Sequence, residues 1–236
     1  MRLFRQILLL LSFGLLAGGA IAAVGSPELG KEYTVLDNQQ PVDGGKKIEV
    51  IEFFAYYCPH CYALEPLMAE WVKKQGNNIA FKRVHVSDPR ALPQQKLFFA
   101  LDALGKLDEF HLKAFQAIHI ERNRLQSDAE VIEFAVKAGI DKQKFLDAYN
   151  SFSAQSKINR ASQLMKVYKV DSWPMIAIDG RFVTSPYLAA TAMGRVTEET
   201  QNRALLPVMD WLLAKIQKEK GVTTTPEAAP PAPKKK

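Results

Sequence analysis

The sequence predicts an α/β fold, an open sheet interrupted by a block of helices. Three observations carry this. Lys47–Phe54 is a short apolar run, rich in β-branched and aromatic residues, that leads directly into Cys58-Pro59-His60-Cys61 and a helical stretch. From about Pro89 to Tyr168 there are helix signals and no convincing strand. Strand character returns at Met175–Ile178, where Asp179-Gly180 is a type I′ hairpin signal. Strand, helix, strand, helical block, hairpin and closing helix together read as α/β.

Each element has a local reason. The first helix reads from Cys61 to about Gln75 and stops at Gly76, with Pro66 removing one backbone donor inside it. Ile79–Val86 alternates in part and reads as a second core strand. In the helical block, Pro93 suits a first turn, Leu97, Phe98, Leu101 and Leu104 recur at helical spacing, and Gly105 stands just past the end. Ser127 and Glu130 form a capping-box pattern for a helix ending near Gly139. Asp141 caps the next, through Tyr149, and Ile158, Ala161, Leu164, Val167 and Tyr168 outline another. Phe98, Phe99, Phe110, Phe115, Phe134 and Phe145 are its core. Arg181–Thr184 is the return strand of the hairpin, and a last amphipathic helix runs from about Glu198 to Lys218.

The two ends have different compositions. Arg2 and Arg5, the apolar run Ile7–Leu16 and the small residues Ala20 and Ala22 form the three-part pattern of a secretory signal peptide over 1–22. Cleavage after Ala22 leaves 29 basic and 25 acidic residues, too small an excess to imply nucleic-acid binding. Residues 220–236 are rich in Pro, Ala, Thr and Lys and cannot bury a core, so disorder is expected there. Between them, about 195 residues make one domain's worth of chain with an insertion. The expected parts are 23–88, 89–168 and 169–219.

Cys58 and Cys61 are the whole cysteine content. Structural zinc takes four ligands, and His85, His111 and His119 have no matching close spacing, so no metal is expected. A disulfide ring this small removes little entropy from the unfolded chain, which argues against a purely structural bond. The pair stands where a strand becomes a helix, and free N–H groups and the helix dipole there favour a thiolate. Thiol–disulfide chemistry is the reading that remains, in an oxidising compartment.

Val50-Ile51-Glu52-Phe53-Phe54 followed by Cys58-Pro59-His60-Cys61-Tyr62 resembles the start of the DsbA family, periplasmic dithiol oxidases built on a thioredoxin fold with an inserted all-helical domain. The likeness covers roughly residues 30 to 218, most strongly at the motif. It implies a Cys58–Cys61 disulfide that serves as the redox centre without another cofactor. It also implies that Cys58 is the more exposed sulfur and forms the mixed disulfide, that Cys61 resolves it, and that His60 helps stabilise the Cys58 thiolate. Pro59 completes the motif. A family thiol pKa of about 3.5, against about 8.5 for free cysteine, favours the reduced form at pH 7 by about 5 kcal/mol, or on the order of 100 mV.

Glu52, six residues before Cys58, matches the buried acid of thioredoxin-like proteins. Desolvation would raise its pKa and let it assist proton transfer with Cys61, and Lys82 or Arg83 on the neighbouring strand could pair with it. Trp173-Pro174 stands where the family carries a cis-proline facing the disulfide. Tryptophan departs from the small or β-branched residue usual before that proline, and this bears on specificity. The resemblance implies a monomer that oxidises exported proteins and is reoxidised by a DsbB-like membrane quinone reductase. The alternatives are an isomerase or reductase of the same fold, for which the roughly 20 residues before the first strand leave no room for a dimerisation domain, and a non-catalytic peptide-binding chaperone.

Overall fold

A computed structural model describes residues 26–221. The expected signal peptide and the expected tail beyond Gly221 lie outside these residues, while Lys220, at the start of that tail, ends the last helix and pairs with Asp179. Five strands form one sheet in the order β1-β5-β4-β2-β3. They are β1 (Thr34–Val35), β2 (Ile48–Phe54), β3 (Ile79–His85), β4 (Met175–Ile178) and β5 (Phe182–Thr184). β2 and β3 are parallel and the remaining pairings are antiparallel. Parallel pairing needs a crossover, and helix α1 (Pro59–Gln75) supplies it.

Helices α2 (Leu92–Ala103), α3 (Leu107–His119), α4 (Asp128–Lys137), α5 (Lys142–Tyr149) and α6 (Phe152–Val167) are inserted between β3 and β4. The hairpin is followed by a single turn, α7 (Pro186–Ala189), and by the long α8 (Glu198–Glu219). Local chemistry sets many boundaries. Ser127 accepts from the Glu130 N–H while the Glu130 carboxylate accepts from the Ser127 N–H, closing the capping box of α4. Asp141 caps α5. Asp179 and Gly180 both have positive φ (54° and 67°), as a type I′ turn requires.

Four features differ from expectation. Helix α1 begins at Pro59, not Cys61, because proline preset near φ −65° suits the first helical position and leaves Cys58 as the N-cap. Helix α3 has no capping side chain to set it apart within the helical block. β1 is two residues long and has too little pattern to read; it exists by pairing with β5. The single turn of α7 likewise follows from the Ser185 cap and tertiary context.

Two buried clusters flank the sheet. One joins Ile51, Phe53 and Phe54 to the inserted helices through Phe98, Phe115, Phe145 and Tyr168. The other joins Val50, Ile176 and Ile178 to Leu64, Met68 and Trp71 of α1 and to Leu205, Leu212 and Ile216 of α8. Period-2 alternation divides Ile48 and Val50 from Ile51 and Phe53, while Phe54, at the end of β2, departs from it and joins the cluster of the inserted helices. Asp210 of α8 accepts from Trp71 Nε1 and Gln75 Nε2, both at 2.8 Å, and fixes α8 on α1.

Phe115 of α3 is almost fully buried and meets Phe54, Tyr56 and Tyr62 at centroid distances of 5.9, 5.2 and 5.8 Å. Phe115→Ala is expected to lower unfolding free energy by about 3–5 kcal/mol in urea denaturation, with a matching loss of thermal midpoint.

Candidate active site

β2 ends at Phe54, and four residues carry the chain to α1. The turn is held by the Cys58 N–H donating to the Ala55 carbonyl (3.1 Å) and the Tyr62 N–H donating to the Cys58 carbonyl (3.1 Å). As N-cap, Cys58 lends its sulfur to the helix end, where the Cys61 N–H donates to Cys58 Sγ at 3.4 Å. Both cysteines are thiols in this structure. Cys58 is 5% exposed and Cys61 not at all, so the expected order of exposure holds, although Cys58 is itself buried.

The two sulfurs have opposite electrostatic surroundings. Hydrogen bonding from Cys61, with the N–H groups of Cys61 and His60 and the His60 charge, lowers the Cys58 thiol to about 7 against the pull of burial. Burial, and then the neighbouring Cys58, push Cys61 well above an ordinary thiol.

Trp173-Pro174 is a cis peptide facing this pair, and the Cys58 thiol donates to the Trp173 carbonyl at 3.6 Å. The Trp173 ring stands edge-on to Tyr57 at 6.3 Å, and the Tyr57 hydroxyl donates to Asp88. Beside them runs a groove of about 240 Å³, lined by Trp173, Pro174, Pro186, Tyr187, Glu198 and Gln201 among others. His60 is exposed on its rim, with Nδ1 2.5 Å from Glu198 Oε1.

Beneath the cysteines lies a buried charge cluster. β2 and β3 pair with Glu52 opposite Arg83, so register alone brings them together. Arg83 Nε donates to Glu52 (3.0 Å), and its terminal nitrogen donates to both oxygens of Glu65, at 2.9 and 3.0 Å. Of the two partners expected for Glu52, Arg83 is the one found, while Lys82 turns to Glu49 at 2.6 Å. Burial raises both Glu52 and Glu65 despite the guanidinium between them. Among the described residues, no His, Cys, Asp and Glu group could hold a metal ion.

The comparisons with known proteins match these features. Residues 68–196 match the family model for a DSBA-like thioredoxin domain, and residues 33–98 match the thioredoxin model. The thiol:disulfide interchange protein DsbA of Burkholderia cepacia is 42% identical over 214 residues, covering 90% of this chain and 96% of that one. The DsbA of Bordetella pertussis is 40% identical over 160 residues, or 67% of this chain and 76% of that one. A crystal structure of Pseudomonas aeruginosa DsbA superposes with a TM-score of 0.75 at 30% identity, covering 83% of this chain and 97% of that one.

The chain belongs to the DsbA family. It is a thiol:disulfide oxidoreductase on a thioredoxin fold, and its redox-active group is its own cysteine pair. Pro59, His60 and Cys61 form the first turn of one helix with Cys58 as its N-cap, and the fold brings Trp173-Pro174 and Glu52 to the same place.

Several site residues were not singled out from sequence. Glu65 lies one helical turn past Cys61, a spacing that could have flagged it. Tyr56, His111, His119 and Glu198 had no such signal, because their partners are distant in the chain. Three of the four histidines converge on Tyr56. His85 Nε2 accepts from the Tyr56 N–H (3.2 Å), and its Nδ1–H donates to the Val86 carbonyl, so this strand histidine is fully satisfied. His119 Nε2–H donates to the Tyr56 carbonyl (2.8 Å), and His111 Nδ1 is 3.1 Å from the Tyr56 hydroxyl.

Two measurements check these environments. The rate of Cys58 alkylation by iodoacetamide is expected to titrate with a midpoint near 7, not with that of a free thiol. Burial lowers His85 to about 4 and His111 to about 3, so NMR should show both rings neutral down to at least pH 5. A depressed histidine stabilises the fold fully above its unfolded pKa of about 6.5. That contribution is lost as pH falls from there towards 4 and 3.

Proposed function

We propose that this enzyme donates a Cys58–Cys61 disulfide to exported proteins by way of a mixed disulfide at Cys58. The observation that carries this reading is the asymmetry of the two sulfurs, one lowered at a helix N-terminus and one raised by burial. A substrate thiolate attacks Cys58 Sγ, forming a substrate–Cys58 disulfide and breaking the Cys58–Cys61 bond. Cys61 departs with the electron pair and takes up a proton, since its surroundings disfavour the anion. A second substrate thiolate then attacks the substrate sulfur, and Cys58 leaves as the more stable thiolate. The products are a substrate disulfide and the enzyme dithiol.

The supporting residues follow from their positions. Glu52 is within electrostatic reach of Cys61, and its raised pKa suits it to supply the proton. His60 and the helix N–H groups stabilise the Cys58 thiolate. The Trp173 carbonyl, beside Cys58 Sγ, is the backbone edge against which an extended substrate segment pairs. The enzyme acts as a periplasmic monomer, and a DsbB-like membrane quinone reductase restores the disulfide. No helix among the described residues is long and apolar enough to cross a membrane.

Equilibration with glutathione buffers, read by mass-resolved alkylation, tests the direction of transfer. A potential well above about −270 mV, towards about −120 mV, is expected of a donor. A value at or below about −270 mV points to the reductase or isomerase alternative. Cys58→Ser is expected to abolish oxidation of a reduced substrate protein, and activity surviving it points to a peptide-binding chaperone.

A further inference from the structure

The His60–Glu198 pair joins the N-terminal turns of two helices that are distant in the chain. His60 is the second residue of α1, and Glu198 is the first of α8, following its Thr197 cap. Nδ1 and Oε1 lie 2.5 Å apart, in direct hydrogen-bond contact. Among the described residues, two titratable groups act on His60 and a third lines the groove with it. Cys58 stands on its own helix end, Glu198 on α8, and Tyr187 of α7 lies across the groove. Arg203, the nearest cation along α8, is engaged with Glu199.

We propose that Glu198 is a positioning residue for the thiol exchange, whose carboxylate holds the His60 imidazole oriented and charged beside the Cys58 sulfur. The inference rests on the thiol-exchange role of Cys58 given above. Glu198 touches no reacting atom and acts through the histidine. Hydrogen bonding to Glu198 raises the His60 pKa, so more imidazolium is present at neutral pH, and that charge favours the Cys58 thiolate. A better-stabilised thiolate favours the reduced enzyme and makes its disulfide more oxidising. Acting directly through space, the Glu198 carboxylate would disfavour the thiolate, so the two routes have opposite signs.

The opposite signs make the test decisive. The side chains of His60 and Glu198 are 67% and 46% exposed, so the coupling is that of a solvent-exposed pair. Glu198→Gln is expected to raise the midpoint of Cys58 alkylation. It should also shift the glutathione equilibrium towards oxidised enzyme by about two- to fivefold, or about 10–20 mV. The NMR titration of His60 should move down towards about 6.5, while thermal unfolding of the oxidised protein stays unchanged. In a His60→Gln background, Glu198→Gln is expected to leave the Cys58 midpoint unchanged or to lower it. An unchanged or lowered midpoint in the single variant, or an equal rise in both backgrounds, overturns the inference alone. A wild-type Cys58 that titrates like a free thiol overturns both this inference and the exchange role of Cys58.

Discussion

One guanidinium serves two buried carboxylates under the reactive cysteines, and much of the site depends on that arrangement. Arg83 is placed by parallel pairing of β2 and β3, which sets it opposite Glu52, and it reaches across to Glu65 on α1. Strand pairing, helix position and the floor of the site are thus tied to one side chain. Removing one partner from such a buried cluster leaves an uncompensated charge, a far larger cost than losing a surface pair. The cluster holds one more carboxylate than Arg83 can neutralise, and burial raises the pKa of both. A proton is therefore held there more tightly than on a solvated carboxylate.

The cluster continues into the inserted helices. His111 of α3 lies 3.3 Å from Glu65 and 3.1 Å from the Tyr56 hydroxyl, while His119 of the same helix hydrogen-bonds the Tyr56 backbone and stacks on Tyr62 at 4.9 Å. Helix α3 therefore touches the chain on both sides of the cysteine motif. The helical block is part of what holds the turn between Phe54 and Cys58, with Phe115 as its apolar wedge. A turn fixed in this way keeps the Cys58 sulfur over the first turn of α1, where the N–H groups that favour its thiolate are aimed.

Above this floor, the open side of the site is built from late parts of the chain. Trp173-Pro174, the Pro186-Tyr187 turn and the first residues of α8 form the groove beside Cys58. Charge is concentrated in His60 and Glu198, and the aromatic and proline side chains of the walls alternate with Ser172, Ser185, Gln201 and Asn202. The Trp173 ring packs on Tyr57, and the same residue presents its backbone carbonyl to Cys58. The site thus combines a buried, proton-holding base with a groove of aromatic, proline and polar side chains.

The sequence by itself determined what is local. Cys58-Pro59-His60-Cys61 between an apolar strand and a helix named the chemistry, because a thiolate at a helix N-terminus follows from sequence adjacency alone. The capping box at Ser127, the Asp141 cap and the Asp179-Gly180 turn were legible for the same reason. The acid at Glu52 was legible too, as a charge inside an apolar strand, and the register of β2 with β3 decided between Lys82 and Arg83. Only the tertiary structure decided which distant groups meet. β1 exists by pairing with β5, the three histidines converge on Tyr56, and Glu198 reaches His60 across 138 residues. No periodicity marks such partners, since each contact is set by how whole elements pack and not by any pattern within one.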